Sequence, residues 1–356
     1  MDKIWWKQIT KANSFVRKVA GTVLENQNVL LSVPPRIPWR GTMVELVDGI
    51  LREENPAYRL EFIECPEEEV GKYLLEHYCK KETRSAYRYG MTYASFLARN
   101  EGTVLSSRYL WVKHIPASKL GEWAGFLQEY RKCFPKNGAM AVFILETVED
   151  GTRRRAYKGL QLIGYDDWID AYDKFAFCTL ACTDAEIKPY LKPYIAELVS
   201  NICKDDMELC AACIRHVQEF LRSPSDTLQQ IGKEETHADG TPFYLRKERE
   251  KLEIRVWESQ VKLLFPVIER YRSAFVSRKR DDIRLALPIK NSYGEEITEP
   301  LDVELGSLIF LVGLGKLRVT DREYRQLDTF RTARNNLAHL KALGFSEVDA
   351  ILSQRL

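Results

Sequence analysis

Two kinds of hydrophobic spacing divide this chain, and the point where one gives way to the other limits what it can fold into. Up to about residue 149, short apolar runs alternate with amphipathic stretches. Runs at 28–33 (NVLLSV), 59–64 (RLEFIE), 109–115 (YLWVKHI) and 140–147 (MAVFILET) read as strands. The stretches 3–26, 42–53, 67–80 and 117–133 carry apolar residues at helical spacing. Strands separated by helices imply a parallel sheet covered on both faces. Beyond 149 the alternation ends. A basic turn, Gly151-Thr-Arg-Arg-Arg155, leads into an apolar stretch at 157–169, and from about Ala185 helices dominate. The expected class is therefore α/β followed by all-α.

A chain of 356 residues at roughly 100–200 residues per domain makes two domains the natural division. The polar, glycine-flanked segment Gly232–Gly240 (GKEETHADG) is the best linker, giving domains at 1–225 and 241–356. In the second block a long charged helix is expected over Leu245–Phe275. Its stripe would be Leu252, Val256, Leu263, Val267 and Tyr271, with a kink at Pro266. After a turn-rich loop at 287–300, helices are expected at 304–314, 321–341 and 346–354. Ser346, with Asp349 three residues on, is the N-cap signal for the last.

The net charge of +2 makes bulk electrostatic attraction to nucleic acid too weak to matter, so such contact must come from a local patch. The start, MDKIWWKQ, carries no signal-like apolar core, and the run Leu308–Leu314 falls far short of the ~18 apolar residues that cross a bilayer. A cytoplasmic protein without membrane contact is expected. Its eight cysteines would then be mostly reduced. Cys210-Ala-Ala-Cys213 with His216 has the spacing of half a metal or redox site, but apolar cysteines in a buried helix fit equally well.

The segment between the first strand and the next helix is where a phosphate cradle would lie. Such a cradle uses backbone N–H groups on glycines and a Lys-Ser/Thr pair. Here the loop reads PPRIPWRGT: three prolines remove donors, and only Arg40-Gly41-Thr42 echoes the basic-hydroxyl end. Lys113 and His114 occupy the place of the usual acid after a later strand. The layout over about 25–220 resembles the nucleotide-binding core of STAND and AAA-like ATPases, but both nucleotide motifs are degenerate. That resemblance implies a P-loop-like scaffold without hydrolysis. Arg36, Arg40 and Thr42 are candidates to hold a phosphate or nucleic-acid backbone. The alternative is that the loop only packs its prolines and Trp39 against the sheet edge.

Near the C-terminus, 329–341 reads TFRTARNNLAHLK. Arg334-Asn335, with His339 after Leu337-Ala338, resembles the R-x4-6-H motif of HEPN domains. The helical block from about 245 fits a HEPN-like bundle. The resemblance implies an RNA-directed effector of a prokaryotic antiviral defence or toxin system. In it Arg334 binds phosphate, Asn335 positions, and His339 handles a proton, with no metal and no cofactor. On a straight helix Arg334 and His339 lie about 140° apart. HEPN proteins meet this by dimerising, so RNA and a second copy or other defence-system subunits are the implied partners. Two alternatives stay open: a non-catalytic scaffold or dimerisation subunit, and a nucleotide-binding switch. Arg331 shares a helix face with Arg334 and favours RNA, whereas Arg278-Lys279-Arg280 also suits a helix C-terminus.

Overall fold

The structure is a computed structural model describing residues 1–88, 90–100, 103–135, 139–148, 156–183, 185–243, 249–290 and 294–354. The basic turn at 151–155 lies outside the described residues. Contacts divide the chain into two compact units, Met1–Asp173 and Lys174–Leu356. Among the described residues no helix is long and apolar enough to cross a membrane.

The first unit is a five-stranded parallel α/β sheet. In chain order it contains α1 (Thr10–Leu24), β1 (Asn28–Val33), α2 (Arg40–Glu54), β2 (Arg59–Glu64), α3 (Val70–Tyr78), α4 (Lys81–Arg84) and α5 (Tyr93–Arg99). These are followed by β3 (Arg108–Lys113), α6 (Ala117–Cys133), β4 (Val142–Val148) and β5 (Leu160–Gly164). The strand order is β2-β3-β4-β1-β5. Leu30 of β1 lies opposite Leu145 of β4 and Leu162 of β5. All six residues of β1 are buried, as in a strand covered on both faces, and polar Asn28 accepts there from Phe143 N–H at 2.9 Å. The apolar stretch at 157–169 contributes a fifth strand, β5, at the sheet edge. Gln161 and the half-exposed Leu160 and Leu162 keep that stretch from reading as a buried strand.

The single helix expected over 3–26 is two pieces. A π-helical turn at Ile4–Gln8 ends at Ile9, whose backbone is extended (φ −76°, ψ 113°), before α1 begins. Adjacent residues of an α-helix diverge by about 100°, yet Trp5 and Trp6 are both fully buried. The wide turn and the break let both tryptophans face inward, and the Trp6 indole donates to Pro38 O at 2.9 Å.

The second unit is helical. It comprises α7 (Ala171–Ala181, whose first turn spans the unit boundary), α8 (Lys192–Cys203), α9 (Met207–Arg215), α10 (Val217–Arg222), α11 (Pro224–Glu234), α12 (Arg249–Arg278) and α13 (Arg280–Ala286). Then come α14 (Leu305–Gly313), α15 (Asp321–Ala338) and α16 (Phe345–Leu352). The loop at 287–300 holds a two-residue hairpin, Ile289–Lys290 against Glu296–Ile297. The segment Gly232–Gly240 folds within this unit: buried His237 contacts Asp206 Oδ2 at 2.9 Å and Thr241 O at 3.0 Å.

The 30-residue α12 is the spine, and it continues through Pro266. Its buried face is turned from the expected stripe. Of that stripe Tyr271 is buried while Leu252, Val256, Leu263 and Val267 are half-buried, and the core positions are Ser259, Gln260, Leu264, Ile268, Tyr271, Phe275 and Val276. The reason is polar. The Gln260 carboxamide, 1% exposed, donates to Leu343 O (2.9 Å) and to the Tyr194 hydroxyl (3.2 Å), and it accepts from Leu343 N (2.6 Å). Hydropathy counting assigns a glutamine to the surface, but one whose hydrogen bonds are met can sit in the core. Burial pushes the Tyr194 phenol up to about 12. The last helix also starts one residue earlier than expected. Gly344 is its N-cap, bonded through N–H to Glu347 Oε2 (2.8 Å), and Asp349 instead pairs with Lys188 and Tyr190.

Gln260→Ala leaves the Leu343 N–H and C=O buried without partners, at ~1–3 kcal/mol per group. The expected result is a loss of at least that size in denaturant unfolding of the full chain, against a smaller loss for Gln230→Ala on the surface of α11.

Candidate functional site

The motif helix α15 is fixed at both ends. At its start Thr320 and Glu323 form a reciprocal capping box. Thr320 N–H donates to the Glu323 carboxylate at 2.8 Å, and Glu323 N–H donates to Thr320 Oγ1 at 3.2 Å. The Thr320 backbone hydrogen bond holds the Glu323 carboxyl below the usual range, and nearby Lys279 adds to the effect. In its middle, Phe330 stacks on Tyr271 of α12, with centroids 3.9 Å apart and planes 8° apart. At its end, the Trp257 indole of α12 donates to Leu337 O at 2.7 Å.

The helix stops at Ala338, three residues short of the expected end, and the termination involves the motif itself. His339 is the C-cap (φ −106°, ψ 27°), and Leu340 is left-handed at φ +58°. Lys341 N–H returns to Asn336 O at 2.9 Å and Leu340 N–H to Leu337 O at 3.3 Å, the bond pattern of a Schellman ending. A leucine in the position that favours glycine is strained. His339 is exposed and sits where the chain leaves the helix.

Arg334 and Asn335 line a cavity of about 300 Å³ among α12, α15 and residues 301–306. Arg272 and Arg331 join them, facing Glu269, Asp302 and Glu304, so formal charges across the cavity balance. Two of the three arginines already have close partners. Arg272 bonds Glu269 Oε2 (2.8 Å) and Leu301 O (2.5 Å), and Arg331 pairs with Asp328 (2.7 Å). Arg334 is the least engaged, 3.6 Å from the exposed carboxylate of Glu304. Arg331 Nε is buried without a hydrogen-bond partner among the described residues. His339 is not among the lining residues. The structure thus places Arg334 with Asn335 on one cavity and His339 at the helix exit.

In the first unit the three candidates separate. Arg36 is exposed. Thr42 donates to Asp2 Oδ2 at 2.9 Å. Arg40 pairs with Glu146 of β4, which also accepts from the Trp111 indole of β3 at 2.7 Å. Glu146 is 3% exposed. The ion pair therefore joins α2 to the sheet beside the proline-rich loop, and the indole ties β3 to the same carboxylate of β4. Trp39 is left-handed at the start of α2 (φ +44°). Sequence reasoning misses Glu146, although one acid inside the apolar run MAVFILET is a signal that it needs a partner. His114 is exposed and contacts Glu64 at 2.7 Å, while Lys113 lies over the Phe62 ring.

Cys210 and Cys213 are buried in α9 near Cys178 and Cys203, with Cys203 and Cys213 sulfurs 3.7 Å apart. His216 turns to Glu235 instead, at 2.6 Å. The hydrogen bond with Cys210, together with burial, pushes the Cys178 thiol well up, and burial pushes the Cys210 thiol well up, so both stay protonated. Among the described residues no three His, Cys, Asp or Glu side chains are placed to hold a metal ion.

No family model matches this chain, and no curated protein matches it. Among solved structures, it is similar to a variant of RuvB from Thermotoga maritima at 13% identity, covering 88% of this chain and 94% of that one with a TM-score of 0.34. AMPPCP-bound DnaA from Aquifex aeolicus matches at 12% identity over 70% of this chain and 79% of that one, TM-score 0.29. PCH-2 from C. elegans matches at 10% identity over 60% and 69%, TM-score 0.25. Similarity at this level assigns neither a family nor an activity.

Leu340→Gly relieves the left-handed strain beside His339, worth ~1–2 kcal/mol, against the ~0.5–1 kcal/mol entropy disadvantage of glycine. A small rise in thermal midpoint is the expected outcome, checked by calorimetry. A fall would show that Leu340 packs in a way this ending does not describe.

Proposed function

We propose that this protein is an RNA-directed effector of HEPN type. Its second unit would cleave RNA without metal, and its first would be a degenerate P-loop-like scaffold. The observation that carries the reading is the RNNLAH string on a doubly anchored helix, with its arginine and asparagine lining an open cavity and its histidine exposed. Arg334 supplies a fixed cationic fork for phosphate oxygens. Asn335 offers a donor and an acceptor beside it. His339 moves the proton. The 2′-oxygen gives up its proton and attacks phosphorus, the P–O5′ bond breaks, and the 5′-oxygen takes a proton. The products are a 2′,3′-cyclic phosphate and a 5′-hydroxyl. Because His339 does not line the Arg334 cavity, the reading includes a second copy of the chain that brings another motif to the same RNA.

The engagement of Arg40 by Glu146, and of Thr42 by Asp2, supports a scaffold role for the first unit over a nucleotide switch. A second reading rests on the charge balance of the Arg334 cavity and the separate position of His339. In it the helical unit is a non-catalytic dimerisation or docking module of a defence complex.

The test is incubation of the purified full chain with single-stranded RNA in excess chelator. Cleavage is expected, with a loss of about 10²-fold or more in His339→Ala, the scale of acid-base assistance, and an unchanged thermal transition. Intact RNA with wild-type protein favours the docking module, and equal cleavage by His339→Ala overturns the role of His339.

A further inference from the structure

We infer that α14 is the surface through which two copies of this chain pair, antiparallel, about a two-fold axis at Phe310. The inference supplies a surface for the second copy invoked above but does not rest on RNA cleavage. The helix reads LGSLIFLVG, with Ser307 its one polar side chain. Leu305, Leu308 and Leu311 are buried, and the helix packs on α15. The opposite face is apolar as well, and it is open: Phe310 is 59% exposed and Leu314, the C-cap, 53%. A helix that is apolar all round is normally buried all round, so an uncovered side calls for a partner.

The face fits itself. Gly306, Phe310 and Leu314 are four residues apart and make one ridge along the helix. The ridge has a gap at Gly306, which is exposed, and a Cβ there would meet no neighbour within 4 Å. In an antiparallel pair centred on Phe310, the residue four before the centre faces the residue four after it. Leu314 of each copy therefore enters the gap at Gly306 of the other, and the two phenylalanine rings meet at the axis. Each contact off the axis occurs twice, as an isologous interface requires.

Charge selects a second copy and sets its direction. Beyond the N-terminal end of the ridge lie Asp302 and Glu304, and beyond the other end Lys316 and Arg318, all exposed. The chain turns at Gly315 (φ +73°), and Lys316 N–H bonds Leu311 O at 3.0 Å, so the basic end stays beside the helix. Antiparallel copies set the acids of each against the cations of the other at both ends. Parallel copies would set acid on acid and cation on cation, and a partner of one sign of charge would match only one end.

Two nine-residue helices make an interface at the low end of the size range, below about 1,200 Å², so a dimer that dissociates on dilution is expected. The test is sedimentation velocity of the full chain from low to high micromolar concentration. Phe310→Glu sets like charges across the axis and should raise the dimer dissociation constant about tenfold or more, with an unchanged thermal transition. Gly306→Leu fills the gap and should weaken pairing by a similar factor, while favouring the helix itself. Lys316→Glu, at an exposed position, should weaken pairing about threefold. Adding Glu304→Lys should recover it, since the double reversal restores opposite charges only between antiparallel copies. A wild-type chain that stays monomeric throughout leaves this face to a different partner and overturns the inference. So does a dimer that neither Phe310→Glu nor Gly306→Leu weakens, or a folded double reversal that recovers nothing. RNA cleavage is not part of the readout, so either reading can fail alone.

Discussion

A single buried carboxamide sets the geometry of the helical unit. Gln260 sits in the core with every bond it offers directed at a particular partner: Tyr194 of α8 on one side, and both backbone groups of Leu343 on the other. A carboxamide in that position is tolerated only while those bonds hold. It therefore fixes the rotation of α12 about its own axis. That rotation brings Trp257 under Leu337 O and Tyr271 under the ring of Phe330. The motif helix is thus placed by polar contacts on a neighbouring helix together with its own four buried residues, Phe330 among them.

The consequences reach the site. With α15 held along its length, Arg334 is presented to a cavity where other arginines already have partners, and it remains the group freest to meet an anion. The Schellman ending turns the chain at His339, so the histidine leaves the helix instead of continuing its spiral. One chain offers a cation in one place and an imidazole in another. In the first unit the comparable positions are already filled. Arg40 and Trp111 converge on Glu146, and the prolines of the preceding loop leave few N–H groups for a phosphate. The chemistry of this protein belongs to its helical unit, in the reading proposed here.

Much of this is legible in the sequence where burial and hydropathy agree. The strands β1 and β4 and the helix α6 are apolar or amphipathic runs whose spacing has one physical meaning. Legibility fails where a polar group takes a buried position or the backbone takes a costly one. Hydropathy misplaces the face of α12 because Gln260 counts as surface in any such pattern. Glu146 goes unnoticed because its partners lie 35 and 106 residues away. The end of α15 is overrun because Leu340 carries none of the glycine or asparagine signal that marks a left-handed turn. The next glycine, Gly344, serves the following helix instead. Strand β5 is missed because an edge position tolerates Gln161.

In the reading proposed above, RNA is cut through its own 2′-hydroxyl, and the chemistry of the cut reports on that. An oligonucleotide cleaved by the protein is resynthesised with a single 2′-deoxy nucleotide at the scissile position. The substituted strand is expected to stay intact there, and the natural strand to end in a 2′,3′-cyclic phosphate. Cleavage of the 2′-deoxy strand at the same position and rate would contradict it.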